Sequence, residues 1–157
     1  MKAATVSEIK KELQHRSPKD LAELCLTLAK FKKENKELLT YLLYEKSNET
    51  AYIQSVKNEI DEQFEVINKK NYYFIKKGIR KALRNLKKYI RYSKRKDTEV
   101  ELLLYFCRKL KDFSPTIKRS KVLLNMYKQQ ISMIQKTLPK LEEDLQYDYG
   151  IELEEFL

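Results

Sequence analysis

The chain reads as an all-α protein of about six antiparallel helices, and three observations carry that reading. Its 157 residues hold only 2 Gly and 3 Pro, too few for the tight turns of a β-sandwich, a β-barrel or a Gly-rich nucleotide fold. Apolar residues recur every three or four positions along most of its length, the period of an amphipathic helix, and no period-two alternation appears. Helix start signals punctuate the chain at short intervals, and short helix–helix loops imply antiparallel neighbours. The length is that of one domain, 1–157, and suffices for a core without disulfide staples.

Thr5 and Glu8 form a T-x-x-E capping box, opening a short helix with Val6, Ile9 and Leu13 on one face. Ser17-Pro18 then supplies an N-cap and a proline at the first helical position, with Asp20 favourably placed in that first turn. From there Leu21, Leu24, Leu28, Phe31, Asn35, Leu38 and Leu42 alternate by three and four, a heptad seam. It predicts one helix to about Tyr44, bent near 33–36, with Asn35 specifying register if the seam self-associates.

Ser47 to Thr50 breaks the pattern, and a third helix carries Ile53, Val56, Ile60, Phe64 and Ile67. After Asn68-Lys69-Lys70-Asn71 comes a fourth, with Ile75, Ile79, Ala82, Leu86 and Ile90 in line. Its Gly78 costs a helix interior about 1 kcal/mol relative to Ala, which points to a close approach there. Asp97 or Thr98 caps a fifth helix bearing Val100, Leu103, Cys107 and Leu110. Ser114-Pro115 repeats the Ser-Pro start signal, and Ile117, Ser120, Leu124, Tyr127, Ile131, Ile134 and Leu138 make a second seam. Beyond Pro139, in the acidic segment 141–157, Leu141 and Leu145 continue the helix to Tyr149, and Gly150 is a natural residue to follow its end. Six helices do not close around one four-helix core, so stacked hairpins resembling a short α-solenoid are favoured over an irregular bundle.

Cys25 and Cys107 lie in apolar rows and read as buried, reduced thiols acting as small hydrophobes. The first residues pass directly into charge with no signal-peptide apolar region. The longest uncharged apolar runs, 38–44 and 102–107, fall far short of the roughly 20 residues a membrane span needs. A cytoplasmic protein with no membrane span follows as the expectation.

The charge pattern is the sharpest feature. Between Lys69 and Lys96 there are 13 basic residues and no acid, whereas 141–157 holds seven acids and no Lys or Arg. Wound at 100° per residue, the fourth helix sets Ile75, Ile79, Ala82, Leu86 and Ile90 on one face. Lys77, Lys81, Arg84, Lys88, Arg91 and Arg95 fall on the opposite face, a stripe of about 27 Å at 1.5 Å per residue. Tyr73 lies on the basic side and Phe74 and Tyr92 at its edge. A solvated helix face normally interleaves signs, but here like charges stack at i,i+3 and i,i+4, which destabilises a helix by a few tenths of a kcal/mol per pair.

A line of Lys and Arg neutralises phosphates and releases their counterions. The expected function is therefore a non-enzymatic helical module engaging a polyanion, nucleic acid foremost, through the six residues of that stripe. No helix-turn-helix, zinc-finger, RRM or KH signature supports base-specific readout. The alternative is a protein–protein scaffold or self-associating module, its basic face satisfied by an acidic partner or by segment 141–157 docked on the domain.

Nothing points to catalysis. The one histidine, His15, sits near a helix C-terminus, where the dipole favours it. There is no CxxC or HExxH spacing, and two glycines cannot build a P-loop or G-x-G-x-x-G. No enzyme activity, metal or cofactor is expected. The 11 tyrosines mostly border apolar seams, suiting boundary packing with the hydroxyl toward water.

Overall fold

The computed structural model describes residues 1–157, all helical with no strand. It has eight α-helices: α1 (Val6–Leu13), α2 (Pro18–Phe31), α3 (Lys33–Thr40), α4 (Glu49–Glu65), α5 (Tyr72–Ser93), α6 (Lys96–Lys111), α7 (Lys121–Thr137) and α8 (Glu143–Glu154). A π turn (Tyr41–Glu45) and two 3₁₀ turns (Ile117–Arg119 and Leu138–Lys140) complete it. No helix is long and apolar enough to cross a membrane. The contacts gather in two compact units, 1–44 and 45–157.

In the first unit the Thr5–Glu8 capping box opens α1, and Ser17 caps α2 with Pro18 at its first position. The single helix expected over 18–44 is broken: Lys32 is extended, with φ −139° and ψ 146°. Asn35 explains the break, because its Nδ2 donates to the Leu28 carbonyl at 2.8 Å and so satisfies a backbone acceptor orphaned by the end of α2. Asn35 acts here as a cap on α2, a different role from the register position read from the seam. α2 and α3 pack on each other, and Cys25, Leu28, Leu38 and Leu42 line a cleft of about 200 Å³ between them. Cys25 is exposed, which corrects its reading as a buried thiol: so small a unit has too little interior to cover it. Much of the apolar seam stays open as well, with Leu28 61%, Phe31 76% and Leu43 63% exposed.

The second unit is arranged around α6, which packs against α4, α5, α7 and α8. A helix with neighbours on several sides needs a wide apolar face, and Leu102, Leu103, Leu104, Phe106, Cys107 and Leu110 are fully buried, while Glu101, Arg108 and Lys109 lie half-buried on its polar side. This is a cluster about a central helix rather than the linear stack of hairpins favoured from the sequence. Tyr52, Val56, Ile60 and Phe64 of α4 and Ile75, Ile79, Ala82 and Leu86 of α5 face the core, at the i,i+3 and i,i+4 positions that share a helix face. The Cys107 thiol is pushed up to about 12 by burial.

Three local expectations change. α6 begins at Lys96 with Arg95 as its N-cap, and Asp97 lies in its first turn instead. Ser114-Pro115 starts no helix: Ser120 caps α7, its Oγ accepting from the Leu123 N–H at 3.3 Å. Gly150 lies inside α8, which runs on to Glu154. On α7 the buried row is Leu123, Met126, Gln130, Ile131 and Ile134, so the face is rotated from the predicted seam and leaves Leu124 and Tyr127 half-buried.

Candidate functional site

The 22 residues of α5 carry the cationic stripe. Asn71 caps this helix, its Oδ1 accepting from the Phe74 N–H at 3.1 Å. The helix stops at Ser93 because Lys94 turns left-handed, with φ 59°. That ending divides the expected set. Lys77, Lys81, Arg84, Lys88 and Arg91 lie on α5, while Arg95 lies past its end.

The Arg95 guanidinium is bound to Asp97 through Nε at 3.1 Å and Nη2 at 2.6 Å. Its hydrogen bond holds the Asp97 carboxyl below the usual range. The Lys88 ammonium sits 4.9 Å from the Tyr89 ring centre. Lys77, Lys81, Arg84 and Arg91 are exposed and form no ion pair with any carboxylate. The flanking Arg80 is exposed as well.

Three other cations in this unit, Lys57, Lys109 and Arg108, are matched across helices. Lys57 of α4 pairs with Glu101 of α6 at 2.8 Å, and Lys109 of α6 pairs with Asp61 of α4 at 3.0 Å. Asp61 also accepts from the Tyr105 hydroxyl at 2.5 Å, and Glu101 from the Tyr149 hydroxyl at 3.1 Å. The half-buried positions of these carboxylates favour such partners, since a desolvated charge is costly alone. The buried Glu49 carboxylate accepts from the Ser93 hydroxyl and, at 2.9 Å, from the Thr98 hydroxyl, joining the ends of three helices.

The acidic C-terminal segment packs on α6. Glu155 binds the Arg108 guanidinium at 2.6 Å, and Lys111 Nζ donates to its backbone carbonyl at 2.6 Å. Phe156 is buried beneath the same two cations, 5.0 Å from the Arg108 guanidinium and 5.6 Å from the Lys111 ammonium. The Tyr127 hydroxyl donates to the Phe156 carbonyl at 2.9 Å.

Two hollows adjoin the stripe. One, of about 500 Å³, is bordered by Lys87, Arg91, Lys94 and Arg95, with Ile90 and Met133 as its apolar wall. The other, of about 290 Å³, lies where α4 ends and α5 begins; Gln63, Val66, Asn68 and Phe74 line it beside Lys77, Lys81 and Arg84. Gln63, Val66 and Asn68 were not singled out from the sequence. The signal was the Tyr73-Phe74 pair beside the basic run, which placed aromatic surface at the stripe's edge but not the connection that folds against it. No set of three His, Cys, Asp or Glu side chains is gathered to hold a metal. No family model, curated protein or solved structure matches this chain.

Proposed function

We propose that the protein is a non-enzymatic polyanion-binding module, with nucleic acid as its ligand, working through the exposed face of α5. One observation carries this reading. Lys77, Lys81, Arg84 and Arg91 are exposed without an ion pair, although the same unit pairs Lys57, Arg108 and Lys109 with carboxylates. The acids of the C-terminal segment that form ion pairs, Glu152 and Glu155, do so with Arg108 on α6. Like charges one turn apart repel, and a phosphate backbone lying along the face removes that repulsion.

A titration with generic DNA and RNA at several salt concentrations tests the reading. With four cations engaged, log K falls against log salt with a slope of about −3.6 on a duplex and about −2.8 on a single strand. Reversing Lys77, Arg84 and Arg91 to Glu removes the binding. Absence of binding at low salt overturns it.

A second reading, a protein-interaction or self-associating module, is favoured by the first unit. Leu24, Leu28 and Phe31 of α2 and Leu42 and Leu43 of the turn after α3 are exposed, and contiguous exposed apolar surface marks interaction sites. Sedimentation over a wide concentration range tests the homo-oligomer form, and a strict monomer removes it. An acidic protein partner for α5 would be recognised by binding polyglutamate as tightly as nucleic acid of equal charge.

A further inference from the structure

The hollow between the end of α4 and the start of α5 differs from the rest of the basic face. Its floor is apolar, because Gly78 lets the Ile67 side chain reach the α5 backbone: a Cβ at 78 would lie 2.8 Å from Ile67 Cγ1. Val66, 82% exposed, and the half-buried Phe74 ring form its walls. The Phe74 ring is braced edge-on by Tyr73, centroids 5.2 Å apart, and Tyr73 is itself 67% exposed.

One amide brings a hydrogen-bonding group to the hollow. Asn68 Oδ1 accepts from the Lys70 N–H at 2.9 Å, leaving its Nδ2 as a donor. Lys77, Lys81 and Arg84 complete the lining.

We infer that this hollow holds one unstacked base of a single-stranded nucleic acid, with the flanking phosphates on Lys77, Lys81 and Arg84. This rests on the polyanion reading of α5 and narrows its ligand. The volume, about 290 Å³, lies at the low edge of small-ligand clefts and has room for a planar base. Apolar and aromatic walls suit a base's faces, which stack on aromatic side chains with little sequence preference. The Asn68 donor suits a base edge, since every base presents an acceptor there. A duplex keeps its bases paired and stacked and cannot fill the hollow without extruding one.

The test compares three probes of equal charge: a mixed-sequence single strand, a duplex of half its length, and an abasic deoxyribose-phosphate strand. The wild-type protein binds the single strand at least about fivefold tighter than the abasic strand, the lower bound for one stacked base. Phe74→Leu, which keeps apolar volume, and Asn68→Ala, on an exposed loop, each reduce that preference while the salt slope stays unchanged. Circular dichroism confirms that both variants fold. Equal binding of single and abasic strands, or a preference untouched by both substitutions, overturns the base pocket and leaves the polyanion reading standing. No binding of any probe at low salt overturns both.

Discussion

The Arg108 guanidinium of α6 holds the Glu155 carboxylate at 2.6 Å, and this contact fastens the acidic C-terminal segment to α6. Arg108 also lies over the Phe156 ring, so one side chain makes an ion pair and a cation–π contact at the same anchor. Phe156 supplies the burial that an exposed ion pair lacks. Phe156→Ala is expected to cost about 3 kcal/mol, the low end for a buried Phe→Ala change, with amide protection lost first across Glu143–Glu154. Hydrogen exchange reads this directly, and unchanged protection there would contradict the anchor.

The same contact sets an acid dependence. Arg108 holds the Glu155 carboxyl below its ordinary 4.5. A carboxyl depressed in the folded state contributes stability above its unfolded pKa and loses it as pH falls through the folded value. α8 is therefore expected to loosen below about pH 4.5, before α4, α5 and α6. Amide exchange rates across α8 and α6, followed through that range, check the order.

At alkaline pH the sign reverses. Burial, then the Asp61 carboxylate, raises the Tyr105 hydroxyl well above 10, and burial with Glu101 does the same for Tyr149. Their contribution is fully present below pH 10 and is lost as pH rises toward the folded values, since the unfolded chain ionises first. An absorbance titration of tyrosinate should show Tyr105 and Tyr149 ionising late, together with unfolding. One transition covering all 11 tyrosines would contradict the buried assignments.

Gly78→Ala tests the close approach at the base of the hollow. Helix propensity alone predicts a gain of about 1 kcal/mol. The Ile67 side chain 2.8 Å from the new methyl opposes it with an overpacking cost of about 1–3 kcal/mol. Net destabilisation is expected, and the Gly78→Ala penalty should vanish in an Ile67→Ala background, a coupling that a double-mutant cycle isolates.

Gln130 is fully buried in α7, with Nε2 donating to the Met126 carbonyl at 3.0 Å and Oε1 unpartnered. An unsatisfied buried acceptor costs about 1–3 kcal/mol. Gln130→Met, close in shape and without that acceptor, should stabilise the protein by about 1 kcal/mol in chemical denaturation. A loss of stability would show that the amide is needed where it is.

Much of the helical skeleton was legible because its signals are local. The Thr5–Glu8 box and the Ser17-Pro18 start depend on atoms within a few residues of one another. The core face of α5 followed from its spacing alone, and so did the cationic face opposite. Ser114-Pro115 and Gly150 misled because such residues also serve loops and helix interiors, and only neighbouring elements select the role. The break at Lys32 was missed because seven-residue alternation continues across it; the Asn35–Leu28 bond that ends α2 joins residues on either side of the interruption.

The sequence by itself determined that the chain is helical and that its positive charge is concentrated on one helix, since both follow from residue order and a 100° turn. Tertiary structure decided which cations find a carboxylate and which do not. Ion pairs such as Lys57–Glu101 and Arg108–Glu155 join residues more than 40 positions apart, and their distance is set by the packing around α6. The same packing brings Gln63, Asn68 and Phe74 to one hollow: a base-sized space needs walls from two elements, and helical periodicity describes one at a time.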